Sequence, residues 1–344
     1  MRQVWIPKSG PPDVLEVRDA PTPRPARGEI LIEVEAAGIN FADILARQGL
    51  YPDAPPLPTV VGYEVGGVVA AVGDGVEDFA EGDPVLAFTR FGGYSSHVVV
   101  PTVAAFPRPD GMSAEEGAAI PVNYLTAFQM MVVMGSVRPP EDLGGRPVRV
   151  LVHGASGGVG TACGDLGTAY GAELFGTASP GKHDYVRERG YHHAIDYRNR
   201  DFVHEVLDLT DGEGVDLVLD AVGGKHWDRS LKTLAPSGRL VVYGISSVTG
   251  GGKLDLAKML VGVPWLKVNP LRLMSRNEGV MGVNLGHLWN ARERVAAWAK
   301  ALLDLYERGD VRPHVDRVFS FDEAAEAHRY IEDRKNRGKV LLRP

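Results

Sequence analysis

The segment 148–160, VRVLVHGASGGVG, constrains the fold more than any other part of the chain. A β-branched apolar run stops at Gly154, and a helix-compatible sequence follows. This strand, turn and helix pattern is typical of the first unit of a dinucleotide-binding fold, with a diphosphate held at the helix N-terminus. Glycine allows a tight turn, a close backbone approach to the ligand and close helix packing. The predicted diphosphate-binding residues are Gly154, Ser156, Gly157, Gly158, Val159 and Gly160.

Two different patterns flank this turn. Residues 1–120 contain short strand-like runs separated by Gly and Pro clusters, whereas strand and helix patterns alternate from the turn to about residue 244. Between them, residues 113–134 have a helical pattern, with Ser113 as N-cap and Glu116 completing a capping box. Alternating units predict a doubly wound parallel sheet, so the chain is expected to be an α/β protein.

The change of pattern also predicts the domain organisation. A chain of 344 residues is long for one core, and two domains are expected. We assign residues 1–122 and 284–344 to a β-rich domain and residues 123–283 to a Rossmann-type dinucleotide-binding domain.

Composition excludes several classes of function. The net charge is −7 and the sequence contains no basic stripe, which argues against nucleic-acid binding. Cys163 is the only cysteine, so no intramolecular disulfide forms. The N-terminal sequence lacks the apolar core of a signal peptide, and no run of 18 apolar residues is present. These features predict a cytoplasmic protein without stable membrane insertion.

Four motifs together resemble the medium-chain dehydrogenase/reductases. They are GINFADILARQGLYP at 38–52, GYEVGGVV at 62–69, VNYLTA at 122–127 and the glycine turn, and the tail NRGKVLLRP is similar too. The resemblance covers essentially the whole chain. It implies a GroES-like catalytic domain beside the Rossmann domain, with a substrate cleft between them, and a homodimer formed through the strand near Val280.

Within that superfamily, zinc alcohol dehydrogenases carry a cysteine and a histidine where this chain has Asn40 and Tyr63. A catalytic zinc needs three Cys, His or acidic ligands, so the sequence predicts no zinc. The chain therefore most resembles the zinc-free quinone oxidoreductases, and among them the vesicle amine transport protein homologues. Enoyl reductase domains of polyketide synthases are similar in the first motif.

Zinc-free chemistry requires an activated acceptor, because no Lewis acid polarises its oxygen. Tyr51 is our predicted proton donor, since a phenol stays protonated at pH 7, although it could equally be a packing residue at the cleft edge. Asn40 is the second predicted catalytic residue and is expected to contact the nicotinamide or the substrate carbonyl. Asp43 and Arg47 are expected to form an intrahelical pair, and His153 to be a buried structural histidine.

The predicted nucleotide is NADPH, with NADH as the alternative. No carboxylate follows the second strand of the Rossmann domain, whereas Ser179 and Lys182 could bind a 2′-phosphate and Tyr197 could lie beside it. Family resemblance or position after a strand suggests further cofactor contacts at Asn40, Thr126, Ala221, Tyr243, Gly244, Ile245, Val283 and Arg334.

These features predict an NAD(P)H-dependent reductase of an enone, an enoyl-CoA thioester or a quinone. The alternative is a dinucleotide-binding protein of low turnover with a lipid- or membrane-associated role. Residues 248–278 mix apolar side chains with basic ones such as Lys253, Lys258 and Lys267. This segment could form a lid over a hydrophobic substrate, contact a membrane surface, or simply pack in the core or at a dimer interface.

Overall fold

The computed structural model describes residues 1–246 and 268–344. Two compact units are present. The first comprises Met1–Leu125, Leu285–Glu307 and Pro313–Pro344, and the second comprises Thr126–Asn284 and Arg308–Arg312.

The elements of the described residues confirm the predicted α/β class. The strands are β1 Arg2–Trp5, β2 Glu16–Asp19, β3 Glu29–Gly38, β4 Glu64–Val72, β5 Pro84–Phe88, β6 His97–Pro101, β7 Ala105–Pro107, β8 Arg149–His153, β9 Glu173–Ala178, β10 His193–Asp196, β11 Val215–Asp220, β12 Leu234–Val242, β13 Gly279–Gly282, β14 Val315–Ser320 and β15 Lys339–Arg343. The helices are α1 Phe41–Arg47, α2 Ala114–Ala119, α3 Pro121–Phe128, α4 Gly158–Ala169, α5 His183–Glu188, α6 Phe202–Leu209, α7 Lys225–Ser230, α8 Pro270–Arg276, α9 Arg292–Glu307 and α10 Ala324–Glu332.

The first unit is built on a seven-stranded sheet with the order β14-β15-β3-β4-β5-β7, in which β6 also pairs with β3. Alternate residues of β3, Ile30, Ile32 and Val34, belong to its core, as strand periodicity requires. Strand β15 runs antiparallel to β3, with Leu341 opposite Gly38. This pairing brings the C-terminal tail beside the start of α1.

The second unit contains a six-stranded parallel sheet with the order β10-β9-β8-β11-β12-β13. Its central strands are apolar on both faces; Val150, Leu151 and Val152 of β8 are fully buried. Strand order reverses between β8 and β11, since β9 lies on one side of β8 and β11 on the other. In open α/β sheets, ligands bind outside the carboxyl ends of the strands at such a reversal.

The helical pattern predicted over residues 113–134 is present, but it forms three consecutive elements rather than one continuous helix. The capping box of Ser113 and Glu116 forms as predicted, but α2 ends at Ala119, α3 begins at Pro121, and a π-helical turn runs from Gln129 to Met134. Proline has no N–H to continue the hydrogen-bond ladder and is favoured at a first helical position, which explains the break.

The structure describes part of the segment 248–278, for which a lid, a membrane contact or packing is predicted. Its residues 248–267, including Lys253, Lys258 and Lys267, lie outside the described residues. The remainder contains α8, in which Leu271 and Met274 are each 73% exposed. Among the helices that the structure describes, none has both the length and the apolar character needed to cross a bilayer.

Candidate active site

The glycine turn between β8 and α4 has the geometry that an approaching anion needs. Gly154 has a φ of +73°, a conformation that favours glycine. A Cβ on Gly157, the N-cap of α4, would meet only the Gly154 carbonyl oxygen, at 3.5 Å. A Cβ on Gly160 would lie 2.4 to 2.6 Å from the backbone of Ala155, so this glycine is required for packing. The helix N-terminus is thus open at Gly157 and tightly packed at Gly160.

A chain of buried hydrogen bonds holds this turn in place. The imidazole of His153 is hydrogen-bonded through Nδ1 to the hydroxyl Oγ1 of Thr177 at 3.1 Å, and Thr177 Oγ1 also accepts from Gly154 N. His153 Nε2 lies 3.2 Å from Ser230 Oγ. Burial lowers the pKa of His153 to about 3. The prediction of a structural histidine is therefore confirmed.

Asp220, at the end of β11, organises the next turn. Its Oδ1 accepts from the backbone N–H groups of Val222 and Gly223. Its Oδ2 accepts from Ser230 Oγ and bonds to His226 Nδ1, both at 2.7 Å. Burial by itself would raise the pKa of Asp220, but the hydrogen bond from His226 and the neighbouring His153 hold it below its ordinary value.

The turns that follow β11 and β12 pack against each other. Tyr243 N donates to Asp220 O, and Ser246 N donates to Ala221 O at 2.9 Å. A Cβ on Gly244 would lie 3.0 Å from the carbonyl oxygen of Ala221. The structure therefore brings together three predicted contact residues, Ala221, Tyr243 and Gly244. Two more lie nearby: Ile245 is 38% exposed and approaches Gly223, and Val283 N donates to Val242 O.

The predicted 2′-phosphate residues follow two neighbouring strands. Ala178 of β9 is paired with Asp196 of β10, and Ser179 and Tyr197 are the next residues of the two strands. Lys182 closes a turn by donating its backbone N–H to Ser179 O. Tyr197 is 38% exposed. These residues therefore share one edge of the sheet.

Among the described residues, His153, Asp220 and His226 form a group of possible metal ligands, with ligand atoms within 4.8 Å of one another. Both ring nitrogens of His153 and both carboxylate oxygens of Asp220 are already used in hydrogen bonds. These side chains already form a hydrogen-bond network with one another and with their neighbours. We therefore interpret the group as a structural support for the turns that follow β8 and β11.

In the first unit, Asn40 precedes α1 and is 8% exposed. The carboxylate of Asp43 accepts from Asn40 N at 2.8 Å and from Gly62 N at 3.0 Å. Burial raises the pKa of Asp43 to about 7, against the opposing effect of these hydrogen bonds and of Lys339. The carboxylate ties the backbone before α1 to the backbone before Tyr63.

The Asn40 carboxamide belongs to a buried polar cluster. Its Nδ2 donates to Glu64 Oε1 at 2.9 Å, and its Oδ1 accepts from Lys339 Nζ at 2.8 Å. Lys339 also forms an ion pair with Glu64, whose other oxygen accepts from Val122 N at 2.6 Å. Glu64 is fully buried and Lys339 is 3% exposed.

These residues do not fit a catalytic zinc. The two positions that hold a cysteine and a histidine in zinc alcohol dehydrogenases here carry a neutral carboxamide, Asn40, and a phenol, Tyr63. Zinc prefers thiolate, imidazole and carboxylate ligands. The ammonium of Lys339 contacts Asn40 and Glu64 directly and would repel a second cation there.

Two phenols lie close together in the same unit. The rings of Tyr51 and Tyr63 meet edge to face with centroids 6.2 Å apart, and Phe91 lies 5.4 Å from Tyr63. Tyr63 is 7% exposed. Burial, followed by the charge of Asp43 and by Tyr51, raises the pKa of Tyr63. Tyr63 is therefore a protonated phenol at neutral pH.

The predicted intrahelical pair of Asp43 and Arg47 is wrong. Asp43 accepts from two backbone N–H groups, and Arg47 instead pairs with Glu332 of α10, at 2.5 Å. Both side chains point away from the solvent-exposed helix surface where such pairs form, because each is fully buried.

Two further predicted cofactor contacts, Thr126 and Arg334, lie outside the turns described above. Thr126 is buried in α3 and belongs to the second unit. Arg334 is exposed and has a φ of +55° just after α10.

Sequence reasoning missed Glu64 and Lys339. Each is a charged residue at the end of an apolar strand, in EVGGVV and KVLLR. A charge in such a run is a signal for a buried pair, because an unpaired buried charge is costly.

Comparisons with known proteins agree with this geometry. Residues 26–110 match the family model of the alcohol dehydrogenase GroES-like domain, and residues 189–342 match the zinc-binding dehydrogenase model. The chain is 40% identical over 334 residues to the human synaptic vesicle membrane protein VAT-1 homolog, covering 96% of this chain and 82% of that protein.

Two quinone oxidoreductases are also similar. The protein from Pseudomonas aeruginosa is 36% identical over 341 residues, which cover 97% of both chains. The Escherichia coli quinone oxidoreductase, solved in complex with NADPH, has a TM-score of 0.87 and 30% identity, with complete coverage of both chains. The chain therefore belongs to the medium-chain dehydrogenase/reductase superfamily of NAD(P)H-dependent oxidoreductases, in its quinone oxidoreductase and VAT-1 branch.

Proposed function

We propose that this protein is a zinc-independent, NADPH-dependent reductase of a quinone or of a C=C bond conjugated to a carbonyl group. The observation that carries the proposal is the buried cluster of Asn40, Glu64 and Lys339, with Tyr51 and Tyr63 in the same unit. The Asn40 carboxamide and the phenols of Tyr51 and Tyr63 are neutral hydrogen-bond donors, and Asn40 and Tyr63 occupy two positions that carry metal ligands in zinc enzymes. Such donors suffice for an acceptor that is already activated by conjugation.

The second unit supplies the residues that would hold the nucleotide. The turn at Gly154 and the N-terminus of α4 would bind the diphosphate through backbone N–H groups. Lys182 and Ser179 would bind the 2′-phosphate, which favours NADPH over NADH. Bound in this way, the nicotinamide supplies a hydride.

The first unit supplies the residues for the acceptor. Asn40 would donate a hydrogen bond to the carbonyl oxygen and so stabilise the negative charge that develops there. Tyr51 would supply the proton, since a phenol can donate at neutral pH without prior protonation. Tyr63 packs edge to face on Tyr51 and restricts the orientation of its ring.

The test is oxidation of NADPH and NADH at 340 nm with a quinone, a simple enone, and linear and branched enoyl-CoA thioesters as acceptors. We expect turnover with at least one class, and a much smaller kcat for Tyr51→Phe at unchanged nucleotide affinity. The matched control is Tyr306→Phe, which removes a phenol oxygen 3.5 Å from Glu116 in the same unit. Equal loss in both variants would contradict the role of Tyr51.

One observation favours a second candidate, a nucleotide-binding protein of low turnover with a lipid-associated role. Leu271 and Met274 of α8 are strongly exposed beside Arg272 and Arg276, an arrangement suited to an anionic lipid surface. A relative is named a synaptic vesicle membrane protein. Tight NADPH binding without turnover of any acceptor, together with sedimentation on anionic vesicles, would favour this candidate.

Cytoplasmic location and homodimerisation remain proposals. Strand β13 pairs only with β12 among the described strands, so its outer edge could pair with a second copy. Analytical ultracentrifugation of the full chain tests this, and a monomer at micromolar concentration would contradict it.

A further inference from the structure

The orientation of the Asn40 carboxamide is set by two residues that are distant in sequence. Lys339 Nζ can only donate hydrogen bonds, and it lies 2.8 Å from Asn40 Oδ1. The Glu64 carboxylate, paired with that ammonium, accepts from Asn40 Nδ2 at 2.9 Å. A flipped carboxamide would point its NH2 group at an ammonium and its oxygen at a carboxylate. Only one of the two flip states is therefore compatible with the cluster.

This arrangement also changes what Asn40 can offer to a ligand. One N–H is used by Glu64, which leaves one N–H for a ligand. The ammonium of Lys339 occupies the carboxamide oxygen as a hydrogen-bond donor, so the group that Asn40 can still offer to a ligand is an N–H donor. Asn40 is thus biased toward donating to an acceptor oxygen.

The cluster is held rigidly by its surroundings. Glu64 is anchored by Val122 N, and a Cβ on Gly38 would lie only 2.5 Å from Glu64 Cγ and Oε1. Lys339 begins β15, whose Val340 carbonyl accepts from Ile39 N at 3.0 Å beside Asn40. Packing and backbone pairing therefore fix both partners of the carboxamide, as a preorganised site requires.

We propose that Glu64 and Lys339 are positioning residues that hold Asn40 as a single-donor group for the carbonyl oxygen of the reducible substrate. The inference rests on the proposed reductase function. It narrows the ligands of this unit to molecules that present an acceptor oxygen to Asn40. Glu64 and Lys339 themselves act through Asn40 and do not contact the substrate.

The test compares Lys339→Met with the double variant Glu64→Gln/Lys339→Met. The control is Lys335→Met in the same tail, whose side chain is 61% exposed and pairs with Asp333. Lys339→Met leaves a buried unpaired carboxylate, so we expect a lower melting temperature and at least a tenfold loss of kcat/KM. The double variant removes both charges, and we expect its melting temperature to recover while kcat/KM stays at least tenfold below the wild type. Recovery of both quantities would show a purely structural role and overturn the inference.

A second readout is independent of turnover. In 15N-labelled protein, the side-chain amide of Asn40 is identified as the pair of resonances lost in Asn40→Asp. We expect one of its two protons to exchange slowly with solvent in the wild type and rapidly in the double variant. Unchanged protection in the double variant would overturn the positioning role. Protection lost as expected, in a protein that turns over no acceptor, would refute the reductase function and keep the positioning of Asn40.

Discussion

Substituting Gly38 by alanine is expected to disturb the buried cluster without removing any of its hydrogen-bonding groups. The new Cβ would lie 2.5 Å from Glu64 Cγ and Oε1 and 2.7 Å from its Cδ. Carbon atoms in contact are about 3.5–4.0 Å apart, so Glu64 would have to move by about 1 Å. Three partners oppose this movement, namely Asn40, Lys339 and the Val122 N–H.

Overpacking of this kind costs about 1–3 kcal/mol. In a unit of this size each kcal/mol lowers the melting temperature by about 2–4 °C, so Gly38→Ala is expected to melt about 2–12 °C below the wild type. The assay is scanning fluorimetry at pH 7, paired with kcat/KM for the best acceptor. The control is Gly117→Ala in α2, where the nearest atoms to a new Cβ are 3.4 Å away and alanine favours the helix. A Gly38→Ala protein with wild-type stability and turnover would refute the tight packing of Glu64.

Three further predictions concern other parts of the molecule. Gly160→Ala is expected to lose stability and NADPH affinity, measured by melting and by nucleotide fluorescence titration, because its Cβ would overlap the backbone of Ala155. Lys182→Met is expected to weaken NADPH binding about tenfold and leave NADH binding unchanged, since a charge-assisted hydrogen bond contributes roughly 1.5–3 kcal/mol; equal losses for both nucleotides would contradict its assignment. Burial lowers the pKa of His328 to about 3. The unfolded chain binds a proton at this histidine near pH 6.5, whereas the folded protein does so only near pH 3. The protein therefore loses stability as the pH falls from about 6.5 toward 3. His328→Gln should flatten the fall of melting temperature between pH 7 and pH 5, and an unchanged slope would be evidence against this.

The fold was largely predictable because its strongest signals are local. The helix Phe202–Leu209 and the strand Val215–Asp220 lie in the region predicted to alternate strand and helix, where periodicity and capping depend on neighbouring residues. The helical pattern predicted over 113–134 is interrupted at Pro121, because proline has no N–H to continue the hydrogen-bond ladder and instead begins α3.

The candidate site was less predictable, because its chemistry depends on contacts between distant residues. Asn40 was singled out from a motif, but its partners Glu64 and Lys339 lie 24 and 299 residues away in sequence. Spacing alone suggested that Asp43 would pair with Arg47, whereas burial directed Asp43 to backbone N–H groups and Arg47 to Glu332. Helical spacing predicts pairs only on an exposed surface.

Transfer of deuterium from labelled NADPH tests the central claim most directly. NADPH carrying deuterium on the transferred side of C4 is incubated with the protein and each acceptor, and nucleotide and product are analysed by mass spectrometry and NMR. The account predicts that the oxidised nucleotide loses its label and that, in a reduced C=C product, deuterium lies on the carbon β to the carbonyl and a solvent proton on the α-carbon. Nucleotide that binds tightly yet keeps its label with every acceptor would contradict the assignment of this protein as a reductase.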